Sequence, residues 1–155
     1  MKAVLQIVDS ATVYADGAFS GSINKGLLIL LGVESGDTAL DAELLCEKIS
    51  KLRIFEDENG KMNRSVMDIS GEVMVVSNFT LNANYEHGNR PDYLAGAAPE
   101  EAKALYEVFT SMFRSKVSNV ASGVFGADMK IEMVAKGPVT IVMESVKLKK
   151  GKNKQ

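Results

Sequence analysis

The chain has one cysteine, one histidine, no tryptophan and three prolines in 155 residues. A single thiol leaves nothing for an internal disulfide framework and fits a reducing compartment, so Cys46 reads as a buried, inert thiol rather than a nucleophile. One His87 beside one Cys46 also falls short of the ligand set that a zinc site draws from those residue types. No apolar run approaches the roughly 20 residues that span a bilayer, and the opening Met1 to Val8 meets Asp9 too soon for a secretory signal. These absences predict a cytoplasmic protein with no membrane segment and no metal.

What is present fits one ordinary core. Hydrophobic side chains make up 46% of the sequence, enough for one domain at this length and too little chain for two. The formal net charge of −2 hides an uneven distribution. Lys147, Lys149, Lys150, Lys152 and Lys154 hold five of the 18 basic residues with no acid among them, which leaves residues 1–146 with 13 basic against 20 acidic groups, a balance of −7. That balance argues against a broad nucleic-acid face and restricts any RNA contact to a chain end or a small patch. The expected division is one domain over 1–146 and a lysine-rich tail over 147–155, read as a solvated, disordered end.

Along the chain, strand-like and helix-like segments alternate. Ala3 to Val8 and Gly26 to Val33 read as buried strands, with weaker ones at Thr12 to Tyr14 and Phe19 to Ile23 around the turn Asp16-Gly17. Asp37 or Thr38 can cap a helix from about Ala39 to Leu52 that buries Leu44, Leu45, Ile49 and Leu52. A strand pair is expected around the turn Glu58-Asn59-Gly60, and Asp57 there belongs to the turn rather than to a calcium loop. Next comes a strand from Glu72 to Leu81, then a polar loop from Asn82 to Ala98. Pro99-Glu100-Glu101 starts a second helix, whose Ala102, Leu105, Tyr106, Phe109, Met112 and Phe113 recur at helical spacing. Closing strands at Met129 to Val134 and Val139 to Val146 complete an α+β domain.

Two short segments carry the candidate chemistry. Ser77-Asn78-Phe79-Thr80-Leu81 closes a run too apolar and β-branched for a surface strand, so its polar groups sit rigidly beside a core. If the strand continues, Asn78 and Thr80 share one face and set a hydroxyl beside an amide, able to bind a carbonyl or position water. The same groups can instead satisfy nearby backbone. Gly137-Pro138-Val139-Thr140 opens the last strand with a proline where none is needed as a donor, either as a plain strand start or as a shaped turn.

These segments resemble the signature motifs S-Q-x-T-L and N-x-G-P-V-T of the D-aminoacyl-tRNA deacylases, formerly called D-tyrosyl-tRNA deacylases. The similarity runs from Met1 to about Met143 through Lys25-Gly26-Leu27-Leu28, Leu52-Arg53-Ile54-Phe55, Gly60-Lys61-Met62-Asn63, Gly88-Asn89-Arg90-Pro91 and Phe125-Gly126-Ala127-Asp128-Met129. Asn78 stands where the family has glutamine, Ala135 where it has asparagine, and Ile7 where the pattern Q-R-V has arginine. The resemblance implies a barrel-like two-layer β-sheet arrangement with two main helices packed outside, a homodimer with its site at the subunit interface, and the aminoacyl-tRNA 3′ end as partner, with no cofactor.

It further implies a hydrolase that cleaves the ester of a D-amino acid or glycine on tRNA. His87 has no counterpart in the family pattern, so no Ser-His-Asp triad is expected. The ester is already reactive, and water positioning together with amides aimed at the oxyanion can suffice. By this resemblance Ser77, Asn78, Phe79 and Thr80 are the catalytic segment. Gly137 and Pro138, joined by a cis bond, form a chirality filter that reaches into the partner subunit, and Phe125 and Met129 line the terminal adenosine pocket. Two other readings keep the same fold: a paralogue that binds tRNA ends or another partner without turnover, and a deacylase with relaxed chirality.

Overall fold

The computed structural model describes residues 1–152. Its spine is β1 (Lys2–Ala15), a single strand of 14 residues where two shorter ones were expected. The apolar alternation changes phase in the middle of this strand. Ala3, Leu5 and Ile7 point to one core, whereas Val8, Ala11 and Val13 point to another. The pairing register slips at that point, and a one-residue slip turns every later side chain to the opposite face.

Asp16 and Gly17, both with positive φ (49° and 82°), make the tight turn into β2 (Ala18–Ile23), which pairs with the second half of β1. The first half pairs with β3 (Gly26–Gly32). From there the sheet continues in parallel through β6 (Glu72–Ser77) to β7 (Val120–Ser122), and the other edge of β1 carries the long β8 (Met129–Glu144). A small pair, β4 (Phe55–Glu56) and β5 (Met62–Arg64), flanks the expected turn. The sheet curls until β2 meets β7, where Ser20 Oγ donates to the Ser122 carbonyl at 2.9 Å. The result is an α+β fold built on a nearly closed, barrel-like sheet.

One apolar cluster, with Val8, Val13, Ile23, Leu28, Met74 and Val76, fills the inside of the curl. The opposite sheet face, with Leu5, Leu27, Ile29, Val73 and Val75, is covered by α1 (Ala39–Ser50) and α2 (Pro99–Arg114). Thr38 and Asp41 close a capping box at the start of α1, and proline and two acids open α2 as expected. Phe109 and Phe113 are fully buried, and the Tyr106 hydroxyl donates to the Val75 carbonyl at 2.8 Å, locking α2 to β6. Cys46 is on the buried face of α1, where burial pushes its thiol up to about 12.

The lysine-rich end departs from the expectation of a disordered tail. Residues Ser145–Lys152 form a third helix, α3, whose Leu148 packs on the helix-covered core. The start of α3 is tied to a buried carboxylate: Ser145 Oγ donates to Asp41 Oδ1 at 2.7 Å, and Lys149 Nζ lies 2.8 Å from Oδ2. Burial alone would raise the Asp41 pKa, but hydrogen bonds from Lys149, Ser145 and Thr38 outweigh it and hold the carboxyl well below the usual range. Lys149 is thereby drawn onto the fold by the one buried acid it reaches. Residues 153–155 lie outside the described residues.

Candidate active site

β6 ends at Ser77, opposite Leu31, and the Asn78 amide adds one more bond to the Leu31 carbonyl at 2.8 Å. The expected strand through Leu81 stops here, and Phe79–Asn82 form a 3-10 turn instead. Two features draw the chain across the end of β3. Asn82 is buried and its Nδ2 donates to the Val33 carbonyl at 2.7 Å. Beneath the turn lies Gly32, where a Cβ would sit 3.0 Å from the Leu81 Cβ and 3.1 Å from the Asn78 carbonyl. The strand's continuation would have left the Asn82 amide without this partner.

The turn changes how Asn78 and Thr80 meet. They do not share a strand face; the chain folds Thr80 back so that its Oγ1 donates to Asn78 Oδ1 at 2.5 Å. Leu81 and Ala83 amides use the carbonyls of Asn78 and Thr80, at 3.3 and 3.1 Å. A turn that begins this way leaves the amides of Phe79 and Thr80 at its open end without partners inside it. Thr80 is exposed and Ser77 half-buried, while Phe79 stands 64% exposed with its ring edge-on to Tyr93 at 5.1 Å. The polar groups therefore line an open ledge whose backbone is fixed from below by β3.

Gly137 and Pro138 sit in a different setting. Gln6 pairs with Thr140 and Val8 with Ala135, so a single residue of β1, Ile7, faces Lys136, Gly137, Pro138 and Val139. The two expected closing strands are therefore one strand, β8, with a four-residue loop pushed out of its edge. Gly137 has φ +115°, and a Cβ there would lie 2.6 Å from the Val139 nitrogen, so the loop takes this shape only with glycine. The Gly137-Pro138 bond is cis. Beside the loop is a cavity of about 290 Å³ lined by Ile7, Lys25, Ile54, Phe55, Met62 and Gly137.

Within one chain the two segments do not meet. Ser77 is level with Leu31, Ala3 and Met143 across the sheet, whereas the loop lies opposite Gln6 to Val8. Four residues of strand, from Ala3 to Ile7, separate those levels, about 13 Å. Phe125 and Met129 also part company. Phe125 packs near Tyr106 and lines a cavity of about 580 Å³ with Lys103, Thr110 and Arg114, while Met129 packs against the inner cluster beneath Gly123. The Gly123 amide donates to the Val75 carbonyl at 3.2 Å, which ties the start of the Phe125 loop to β6 two residues before Ser77. His87 is exposed in the 82–98 loop. Sequence reasoning missed Asn82, at the start of a polar loop, and Gln6, inside an apolar run, because their partners, the Val33 carbonyl for one and the Val139 carbonyl and Thr140 hydroxyl for the other, lie far along the chain.

Residues 4–144 match the family described as D-Tyr-tRNA(Tyr) deacylase. The chain is 51% identical over 148 residues to the D-aminoacyl-tRNA deacylase of Anaeromyxobacter dehalogenans (strain 2CP-C), covering 96% of this chain and 99% of that protein. It is 50% identical over 147 residues to the D-aminoacyl-tRNA deacylase of Geotalea daltonii, covering 95% and 98%. The solved structure of the c-Myc DNA Unwinding Element Binding Protein shares the fold at a TM-score of 0.87 with 39% identity, over 93% of this chain and 98% of that one. A probable eukaryotic D-amino acid tRNA deacylase shares the fold alone, at a TM-score of 0.76 and 16% identity over 92% and 98% of the two chains. Matched over nearly its whole length, with half of its residues identical to these relatives, the chain belongs to the D-Tyr-tRNA(Tyr) deacylase family.

Proposed function

We infer that the protein is a hydrolase that cleaves the ester between a D-amino acid, or glycine, and the 3′ end of tRNA, a proofreading of chirality in translation. The observation that carries this reading is the ledge at the end of β6, where the Thr80 hydroxyl and Asn78 amide stand together beside two backbone amides free of the turn. An aminoacyl ester needs little more than an oriented water and donors for the oxyanion. Thr80 orients ester or water, the amides of Phe79 and Thr80 steady the developing charge, and Asn78 holds the hydroxyl in place. Phe125, with the cavity beside it, offers the terminal adenosine an aromatic face.

The filter comes from a second copy of the chain. Gly137 and Pro138 lie too far along the sheet to reach the ledge of their own subunit, and β8 presents an open edge with Met133, Val134 and Val142 exposed. In the dimer, the partner's loop closes the ledge and its backbone leaves no room for an L side chain. No described helix is long and apolar enough to cross a membrane, and the reading puts the enzyme in the cytoplasm beside its tRNA partner.

Single-turnover hydrolysis of D-tyrosyl-, L-tyrosyl- and glycyl-tRNA by the purified protein tests this. Rapid loss of the D and glycyl esters alone is expected. Equal loss of the L ester would move the protein to a deacylase of relaxed chirality, and no loss of any ester to a binding paralogue. Sedimentation of the same sample, with a dimer expected, tests the assembly.

A further inference from the structure

The Lys136–Val139 loop leaves an exposed strand edge with only Ile7 opposite it, and the Ile7 side chain offers no polar atom to hold it. A steric filter discriminates only as well as its wall stays in place, because a shift on the order of 1 Å is enough to spoil such positioning. Glycine at the centre of the loop contributes no side chain to lock it. The support comes from the neighbouring residue of β1. Gln6 Nε2 donates to the Val139 carbonyl at 3.3 Å and, more weakly, to the Ile7 carbonyl at 3.4 Å. Its Oε1 accepts from Thr140 Oγ1 at 2.5 Å. One amide thus uses its donor and its acceptor to grip both residues at the foot of the loop, and it does so from a strand fixed on both edges.

We propose that Gln6 and Thr140 form a clamp that positions the Gly137-Pro138 loop and so sets the discrimination between D- and L-aminoacyl esters. The proposal rests on the reading of that loop as the filter. Neither residue touches substrate; both act through the loop, as positioning residues. The clamp fixes where the loop's carbonyls stand and leaves the Thr80 ledge untouched, so its loss alters selection rather than the hydrolytic step.

The test compares wild type with Thr140→Val, Thr140→Ser and Gln6→Leu. Valine keeps the shape and strand preference of threonine without its hydroxyl, serine keeps the hydroxyl, and Gln6→Leu removes both ends of the clamp. The first readout is the ratio of single-turnover rates on L- and D-tyrosyl-tRNA. The second, independent of activity, is hydrogen exchange of the Gly137 and Val139 amides. Thr140→Val and Gln6→Leu are expected to raise the L-to-D ratio about tenfold with faster exchange at both amides, and Thr140→Ser to match wild type on both. An unchanged ratio in Thr140→Val and Gln6→Leu, with wild type discriminating, overturns the clamp alone. So does a ratio that rises equally in Thr140→Ser. If wild type hydrolyses neither ester, the functional reading falls, and unchanged exchange in the variants overturns the clamp separately.

Discussion

The two segments that carry the proposed chemistry are built in opposite ways. The Ser77–Thr80 ledge ends a strand paired on both sides, is stitched to β3 through the Asn78 amide, and is pulled over Gly32 by a buried asparagine. The Lys136–Val139 loop hangs from an edge strand, faces one apolar residue, and owes its shape to a glycine at φ +115° and to the side chains at its foot. The ledge is held by backbone, so side-chain changes there alter chemistry without moving the chain. The loop is held by few contacts, so small changes move the wall itself. Catalysis and selection are therefore separable by mutation.

The largest effect is expected at the weakest support. Gly137→Ala puts a Cβ 2.6 Å from the Val139 nitrogen, a backbone atom that cannot swing aside. The loop must shift, and the L-to-D ratio is expected to rise about 100-fold, with only a modest fall in melting temperature because Val139, half-buried against the helix-covered core, is the one loop residue that packs there. A ratio unchanged from wild type would break the comparison, since the loop would then not be the wall.

Next in size is a change that spares both segments. Asp41→Asn loosens the tie between α1 and the start of α3, just beyond the end of β8. Stability is expected to fall by about 2 kcal/mol at pH 7 by chemical denaturation, because Lys149 and Ser145 lose a buried carboxylate. The Asp41 carboxyl is held below its usual range when folded, so its contribution is full above the ordinary carboxylate pKa. It is lost as the pH falls through that value toward the folded one. The gap between wild type and variant should shrink accordingly below about pH 4. The L-to-D ratio should not change; if it does, the loop depends on the far end of its strand and is less independent than its contacts suggest.

Smaller again is Thr80→Ala, which removes the hydroxyl from a ledge whose backbone it does not support. The D-ester rate is expected to drop about tenfold with the L-to-D ratio unchanged. Equal rates for wild type and variant would remove Thr80 from the chemistry and leave the backbone amides as the working groups.

How much of this was readable in the sequence follows the same division between local and distant causes. The α1 and α2 boundaries are written in Thr38, Pro99 and the apolar spacing that follows, and the Asp16-Gly17 turn in its own residues. Those are local signals. β7 has three residues, too few to show a period, and it exists because Val73 to Val75 offers it a parallel partner. α3 forms on a lysine-rich stretch because Asp41, 108 residues away, accepts Lys149. The two site segments were found by their motifs, yet the turn at Phe79 depends on Gly32 and Val33, and the loop at Gly137 on Gln6. None of these partners stands near its segment in the chain.

The smallest effect is expected from Asn78→Gln, which installs the side chain that the family motif carries. Asn78 has an extended backbone at φ −145° that any residue adopts, so the longer side chain fits without strain. Glutamine keeps the same donor and acceptor one methylene further out, and it exchanges the direct 2.5 Å bond from Thr80 for a longer reach across the ledge. If the ledge's geometry belongs to its backbone, the Thr80 hydroxyl stays where it is, and a water can bridge to the displaced amide. The D-ester rate should then change by no more than about threefold. A loss well beyond tenfold would mean that the Asn78–Thr80 bond is itself part of the positioning, and that the ledge, like the loop, is set by side chains.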